Sequence, residues 1–135
     1  MDGVILTPLR QIDHPKGDIL HGMKKTDEGF SGFGEAYFST IHKDDIKGWK
    51  KHKEMVLNLV VVSGAIEFVV YNEKNKDFFA VTLSHENYQR LTVFPRMWVA
   101  FRGIKKNSML LNLASLEHDP AETVSINLEC IDYAW

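Results

Sequence analysis

The sequence predicts an all-β protein, and three observations support this class. The apolar segments are short, they are rich in β-branched and aromatic residues, and they recur at a spacing of roughly 8–12 residues. No stretch carries apolar residues at i, i+3, i+4 and i+7 over three turns, so no amphipathic helix is indicated. The predicted strands are residues 4–9, 35–41, 56–62, 65–71, 78–83, 90–94, 98–101, 109–113 and 124–131. A sandwich, a jelly roll or a barrel would each fit this pattern.

The middle of the chain gives the clearest local unit. Residues 60–62 and 65–66 flank Ser63 and Gly64, a two-residue connection that predicts a tight hairpin. The polar residues 72–77 predict a second turn. Nearly every residue in these arms is apolar, which favours strands that are buried on both faces or paired across two sheets.

Length and composition exclude several classes of protein. The chain has 135 residues, close to the commonest domain size, so we expect one domain over residues 1–135. A net charge of −2 indicates neither a nucleic-acid partner nor a polybasic membrane surface. The chain starts without a signal-peptide pattern and lacks a long apolar window, so we expect a cytoplasmic protein without a membrane span. The single cysteine, Cys130, excludes a disulfide framework and a cysteine-based zinc site.

The basic segment at residues 45–54 carries the best candidates for chemistry. We predict that Lys47, Lys50 and His52 share one face of a strand, where they would converge on one cavity. Three potential cations in the mouth of a barrel would suit an anion such as a diphosphate. Composition alone leaves open the alternative of a solvated basic loop.

Residues 46–53, Ile-Lys-Gly-Trp-Lys-Lys-His-Lys, resemble the Arg-Gly-Leu/Trp-His-x-His/Gln-Lys signature of the dTDP-4-dehydrorhamnose 3,5-epimerase family. Weaker resemblances follow in the order of that family, at residues 14–17, 34–39, 83–87, 93–98 and 117–122. The resemblance implies a cupin-type jelly roll, a homodimer, and proton transfer next to the ketone of a nucleoside-diphosphate 4-keto-6-deoxy sugar. The related 3,4-ketoisomerases use the same enolisation, so the resemblance leaves both reactions open. Either reaction would serve deoxysugar or surface-polysaccharide synthesis.

The sequence departs from this family where the reaction depends on it. Lys50 stands in the place of the histidine that acts as the family's base, and Asn58 in the place of a lysine that stabilises the enolate. Ala100 replaces a further histidine. Lys16 and Lys47 replace phosphate-binding arginines, which keeps the charge but loses the bidentate fork.

These departures leave two alternatives to an enzyme. One is a degenerate cupin that binds a sugar nucleotide or a carbohydrate without turnover. The other is a structural cupin whose cavity is filled by Trp49, Trp98 and Phe101. The position of Lys50 and His52 discriminates between them, because an open polar cavity around both side chains excludes the structural cupin.

His52 is the best candidate for a base, because an imidazole changes its charge near neutral pH without special tuning. We predict Lys50 as its electrostatic partner and His118 or Tyr37 as the acid. The predicted substrate-binding residues are Lys16, His21, Ser39, Lys47, Asn58, Trp98 and Arg102. For the histidines the alternative is an ordinary surface residue, and for Tyr37 and Trp98 it is a place in the core.

A metal-binding cupin would need two histidines one residue apart, a carboxylate and a distant third histidine. Here Lys50 takes the first of those positions and Ala100 the last, and a lysine would repel the ion. We therefore predict no metal and no cofactor. For the homodimer, residues 4–9 and 56–62 are expected to pair at sheet edges across a two-fold axis.

Overall fold

The computed structural model describes all 135 residues, which form twelve β-strands and two short 3₁₀ helices. The strands are β1 (Val4–Pro8), β2 (Gln11–Ile12), β3 (Ile19–Leu20), β4 (Glu35–Ile41), β5 (Ile46–His52), β6 (Leu57–Ser63), β7 (Ala65–Asn72), β8 (Asp77–Ser84), β9 (Gln89–Val93), β10 (Trp98–Gly103), β11 (Ser108–Ala114) and β12 (Thr123–Ser125). The 3₁₀ helices span Pro120–Glu122 and Leu128–Cys130. The structure contains no helix that could span a membrane.

Ten of the strands form two antiparallel sheets of five strands each. The first sheet has the order β1-β9-β6-β11-β4, and the second has the order β12-β5-β10-β7-β8. The short strands β2 and β3 pair only with each other. This arrangement confirms the predicted all-β, cupin-type jelly roll.

The two sheets enclose one main core of 15 buried apolar residues. Leu59 and Val61 of β6 belong to it, as do Ile66, Phe68 and Val70 of β7. Each strand contributes alternate residues, because successive side chains of a strand point to opposite faces. Their burial favours folding by roughly 25 cal/mol for each Å² of apolar area removed from water.

Ser63 and Gly64 form a turn, but they do not join a hairpin. β6 pairs with β9 and β11, whereas β7 pairs with β8 and β10, so the chain crosses here from the first sheet to the second. Gly64 has φ +72°, and a Cβ at this position would lie 2.7 Å from the Cα of Ser108. Glycine is therefore required for the crossing. The hairpin prediction is wrong because the chemistry of a tight turn does not decide whether the next strand stays in the same layer.

The second predicted turn, at residues 72–77, does close a hairpin. Asn72 lies opposite Asp77 in the antiparallel pair of β7 and β8. The side chain of Asn72 accepts a hydrogen bond from the backbone N–H of Lys74 at 3.0 Å. This local bond is the kind of turn contact that asparagine favours.

The predicted strand at residues 124–131 is largely wrong, because β12 ends at Ser125. Residues 126–135, here named the C-terminal strap, instead cross the outer face of β5. The backbone N–H of Ile126 donates to the carbonyl of Trp49 at 3.1 Å, and the Trp49 indole N–H donates to the carbonyl of Leu128 at 3.1 Å. The strap therefore covers β5 and does not extend its sheet.

Only one of the two strands expected at a dimer edge lies at an edge. β1 is an outer strand of the first sheet, whereas β6 is its central strand, paired with β9 and β11. The edge prediction for residues 56–62 is therefore wrong. The homodimer itself stays a prediction.

Candidate active site

A cavity of about 230 Å³ opens between β4, β6 and β11 of the first sheet and β5 and β10 of the second. Its lining residues are Tyr37, Ser39, Lys47, Gly48, Lys50, His52, Leu57, Leu59, Val99, Phe101, Leu110 and Asn112. Half of them are hydrophobic. An apolar concavity with a few converging polar groups is the usual form of a small-molecule site.

An irregularity in β5 brings the three predicted cations to this cavity. Lys47 and Lys50 are three residues apart, so a regular strand would point them to opposite faces. Val99 pairs with Lys50, but Phe101 pairs with Lys47, so β5 has one residue more than β10 over this stretch. This β-bulge restores Lys47 to the face that carries Lys50 and His52. Trp49 points to the other face, where it is fully buried.

His52 is held by a carboxylate from a distant part of the chain. Its ring Nδ1 is hydrogen-bonded to Oε1 of Glu122, which lies 70 residues further on. Both side chains are nearly buried, at 9% and 10% exposed. An Nδ1–H that donates to a carboxylate leaves the ring's Nε2 as a lone pair. The protein provides no hydrogen-bond partner for Nε2, and the ring lines the cavity.

The backbone of residues 53–55 fixes the carboxylate of Glu122. Its Oε2 accepts hydrogen bonds from the N–H groups of Lys53 and Glu54 at 3.1 Å and of Met55 at 3.3 Å. Burial raises the pKa of the Glu122 carboxyl, but the hydrogen bonds from His52 and from this backbone outweigh burial, so the pKa lies below its ordinary value. The carboxylate is therefore charged at neutral pH and holds the imidazole in one orientation.

Tyr37 faces His52 from the opposite sheet. It lies on β4, directly across from Asn112 on β11. The side-chain amide of Asn112 donates a hydrogen bond to the phenol oxygen of Tyr37 at 2.9 Å. A candidate base and a candidate acid thus occupy facing walls of the same cavity.

The two cavity lysines differ in how they are held. Lys47 donates to the backbone carbonyl of Thr40 at 2.7 Å and to the hydroxyl of Ser39 at 3.2 Å, and its ammonium lies 5.8 Å from the ring centre of Phe101. Lys50 lines the cavity with no hydrogen bond or salt bridge to the protein. Lys47 is therefore held by hydrogen bonds to β4, whereas all the N–H donors of Lys50 are free for a ligand.

The structural-cupin alternative does not fit this arrangement. Trp49 and Trp98 belong to a separate apolar cluster on the outer face of the second sheet. Phe101 forms one wall of the cavity and leaves it open. Lys50 and His52 both reach the open space, which excludes a cavity filled by aromatic side chains.

Three predicted substrate-binding residues lie on outer faces of the sheets, away from the cavity. The Trp98 indole N–H donates to Glu73 at 3.1 Å, and Arg102 forms a salt bridge with Glu67 at 3.0 Å. The amide of Asn58 donates to the carbonyl of Gly29 at 3.1 Å, on the far side of β6 from Asn112. Each side chain therefore already has a protein partner where it lies.

The remaining predicted residues outside the cavity are Lys16, His21 and His118. Lys16 lies in the exposed turn between β2 and β3, where its backbone N–H donates to the His14 ring at 3.0 Å. His21 accepts a hydrogen bond from the Tyr88 hydroxyl at its carbonyl, at 2.8 Å. His118 is exposed in the loop before the first 3₁₀ helix. The structure thus brings together Tyr37, Ser39, Lys47, Lys50 and His52, and leaves the other predicted residues elsewhere.

Sequence reasoning missed two residues of the site, Glu122 and Asn112. Glu122 ends the segment at residues 117–122 that resembles the family, but that local resemblance does not indicate its partner 70 residues away. Asn112 had a usable signal, because it is the one polar side chain in the predicted strand at residues 109–113. A buried polar residue in an apolar strand requires a hydrogen-bond partner and so marks a position to examine.

The sequence of the chain matches a known protein family. Residues 2–129 match the family described as FdtA: WxcM-like, C-terminal. The chain belongs to this family. No curated protein sequence matches the chain.

Several solved structures share the fold. A dTDP sugar isomerase from Desulfovibrio desulfuricans G20 is 30% identical, with a TM-score of 0.93, over 99% of this chain and 91% of that chain. QdtA, a sugar 3,4-ketoisomerase from Thermoanaerobacterium thermosaccharolyticum in complex with TDP, is 19% identical, with a TM-score of 0.80, over 92% of this chain and 88% of that chain. ChmJ, a 3'-monoepimerase from Streptomyces bikiniensis in complex with dTDP-quinovose, is 17% identical, with a TM-score of 0.86, over 98% of this chain and 75% of that chain. These neighbours are sugar-nucleotide isomerases and epimerases, and the last two show the fold alone.

Proposed function

We propose that the protein is a sugar-nucleotide isomerase or epimerase that acts on a nucleoside-diphosphate 4-keto-6-deoxy sugar by moving a proton at a carbon next to the ketone. The observation that carries this proposal is the buried pair of His52 and Glu122 at the wall of an open, half-apolar cavity. A neutral imidazole that is fixed by a charged carboxylate is a competent general base. The isomerised or epimerised sugar nucleotide would feed deoxysugar or surface-polysaccharide synthesis.

His52 would take the proton from the sugar. Its Nδ1–H donates to Glu122, so the Nε2 lone pair is available to a C–H bond in the cavity. When Nε2 accepts this proton, the ring becomes an imidazolium, and the adjacent carboxylate stabilises the new positive charge. The electron pair of the broken C–H bond passes into the enolate of the ketone.

Lys50 would stabilise the negative charge of that enolate or of the diphosphate. Its ammonium has no protein partner, and it lies on the same wall of the cavity as His52. A cation close to developing negative charge stabilises that charge. Lys47, which already donates to β4, would serve as a second cation closer to Ser39.

Tyr37 would return a proton from the opposite wall. It lies on β4, across the cavity from β5, so a sugar ring between the two sheets would present one face to His52 and the other to the phenol. Delivery to the opposite face of the same carbon inverts it, as an epimerase requires. Delivery to the neighbouring carbon moves the ketone, as an isomerase requires. His118, the other predicted acid, lies outside the cavity and is the weaker candidate.

The relatives support a nucleotide-sugar ligand. QdtA was crystallised with TDP, and ChmJ was crystallised with dTDP-quinovose. The match with the 30% identical dTDP sugar isomerase extends over nearly the whole of both chains. We therefore propose a dTDP-linked sugar as the first substrate to test.

The test is proton NMR with dTDP-4-keto-6-deoxyglucose in D2O, with saturation-transfer difference spectra recorded on the same sample. We expect deuterium to enter at C3 or C5 if the enzyme is an epimerase, and at C4 if it moves the ketone from C4 to C3, because the new C–H bond then forms at C4. The position of the deuterium, and the product, distinguish an epimerase from a ketoisomerase. Saturation transfer without any exchange would instead favour a cupin that binds this ligand without turnover.

Two variants make the test specific to the proposed base. His52→Ala should abolish exchange while saturation transfer persists. The control is His85→Ala, which removes an exposed imidazole from the loop after β8 and should leave exchange unchanged. Exchange that survives in His52→Ala would exclude His52 as the base. If the wild type shows no exchange and Lys50→His gains it, the loss of the family's histidine explains the inactivity.

A further inference from the structure

Asn112 is a buried polar side chain between two leucines of β11. It lies in β11 between Leu111 and Leu113, only 1% of it is exposed, and it lines the cavity. In the sheet it lies directly across from Tyr37 on one side and from Leu59 on the other. A buried amide in such a position is costly unless its donors and acceptors are matched.

The amide of Asn112 can adopt only one of its two orientations. The backbone N–H of Asn58 points at it at 3.1 Å, and a backbone N–H can only donate. The atom on that side must therefore be the amide oxygen. The amide nitrogen is consequently directed at the phenol oxygen of Tyr37, 2.9 Å away, and an amide N–H can only donate.

This chain of bonds decides where the hydrogen of the Tyr37 hydroxyl points. The phenol oxygen already accepts a hydrogen bond from Asn112, so its own hydrogen must lie in another direction. The Tyr37 hydroxyl donates no hydrogen bond to the protein, and the side chain lines the cavity. The hydrogen is therefore available to a ligand in the cavity.

We propose that Asn112 is a positioning residue that keeps the Tyr37 hydrogen aimed at the substrate and stabilises the phenolate once that proton has left. The inference rests on the proposed function for the step itself. In that step the O–H bond of Tyr37 breaks, a C–H bond forms on the enolate, and the O–H electron pair stays on the phenol oxygen. Solvent later returns a proton to the phenolate and removes one from the His52 imidazolium, so the protons balance. A hydrogen bond from the amide becomes stronger as its acceptor gains negative charge.

The test is Asn112→Asp, which keeps an oxygen for the N–H of Asn58 and removes the donor to Tyr37. The phenol hydrogen would then turn toward the new carboxylate, away from the cavity. We expect kcat to fall about 100-fold, in the range for loss of an acid–base group, while KM changes less than threefold. Tyr37→Phe should lose at least as much activity.

The double variant separates positioning from a structural role. If Asn112 acts only through Tyr37, then Asn112→Asp adds no further loss of kcat in the Tyr37→Phe background. A full additional loss there would mean that Asn112 supports the fold or another group, and the proposal would be wrong. If Asn112→Asp does not fold, Asn112→Ser provides the same comparison of single and double variants, because the serine side chain is too short to reach the phenol.

A substrate-free measurement keeps this inference distinct from the proposed function. In Asn112→Asp the phenol hydrogen is shared between two oxygens, so we expect a new downfield, slowly exchanging O–H resonance with a nuclear Overhauser effect to the Tyr37 ring. The wild type should show none, because its hydroxyl hydrogen meets solvent. The same resonance in the wild type, or its absence from the variant, would overturn the inference. Absence of deuterium exchange in the wild type would count against the proposed function alone.

Discussion

The two faces of β5 have opposite characters, although they belong to the same seven-residue strand. On the inner face, Lys50 and His52 line an open cavity, and the Lys50 ammonium has no partner. On the outer face, Trp49 is fully buried and Lys51 lies 4.6 Å from the ring centre of Trp98. Two lysines that are adjacent in the sequence therefore have different surroundings, because Lys50 faces the open cavity and Lys51 packs on an aromatic ring.

The segment that closes the outer face also supports the inner one. Glu122 bonds to His52 at the end of β5, then β12 pairs with β5, and then the strap crosses the outer face over Trp49. The candidate base is therefore held by a residue, Glu122, that does not line the cavity.

Among the variants that compare the two faces of β5, Glu122→Gln is expected to have the largest effect. The amide can donate to the ring's Nδ1, which leaves the hydrogen on Nε2 and removes the lone pair that faces the cavity. We expect kcat for deuterium exchange to fall by about 100- to 10,000-fold, the range for loss of a general base. The measurement is the NMR exchange assay.

The matched control for this variant is Glu117→Gln, which changes an exposed carboxylate in the preceding loop and should leave the rate unchanged. Equal rates for the wild type and Glu122→Gln would show that the tautomer of His52 does not matter. The activity of the inner face of β5 would then not depend on the hydrogen bond between Glu122 and His52.

Trp49→Ala tests the outer face alone. Removing a fully buried tryptophan leaves a cavity under the C-terminal strap, so we expect the free energy of unfolding to fall by about 3–5 kcal/mol in urea titration. Phe38→Ala serves as the control. Phe38 lies on β4 and is 63% exposed, so its removal should lower the free energy of unfolding much less. A small loss for Trp49→Ala would contradict the view that the strap is a stabilising cover.

Lys50→Met and Lys51→Met form a matched pair that compares the two faces directly. We expect Lys50→Met to weaken dTDP binding about tenfold, as for the loss of one charge-assisted hydrogen bond, with stability unchanged. Lys51→Met should leave binding unchanged and cost up to about 1 kcal/mol of stability, because its pair with Glu73 is half exposed. Titration calorimetry and urea unfolding measure the two quantities. The reverse pattern would mean that the assignment of the faces is wrong.

The smallest effect concerns acid pH. The pKa of the Glu122 carboxyl lies below its ordinary value of 4.5, so folding favours the charged form. The resulting stability is present above about pH 4.5 and is lost as the pH falls through the lowered pKa of the folded state. The stability difference between the wild type and Glu122→Gln should therefore shrink below about pH 4.5. If the stability difference between the two proteins stays constant down to pH 3, the charge of the Glu122 carboxylate is not its source.

Much of the local structure could be predicted from the sequence. The pattern of short β-branched and aromatic segments indicated the all-β class and most strand positions, with β4 matching residue for residue. The basic segment indicated Lys47, Lys50 and His52 as a group, and all three line the cavity. Such features are local, since strand formation and side-chain type depend on neighbours within a few residues.

How these strands and side chains combine depends on contacts between distant parts of the chain. Alternation along a strand separates two faces but does not tell which face meets the cavity, and so Trp98, Arg102 and Asn58 lie outside it. The turn at Gly64 joins two layers and not two paired strands. The partner of His52 comes from 70 residues away, across a contact that only the packed chain creates. The sequence thus determined which groups were available for chemistry, whereas long-range strand pairing and one bulge determined which of them meet.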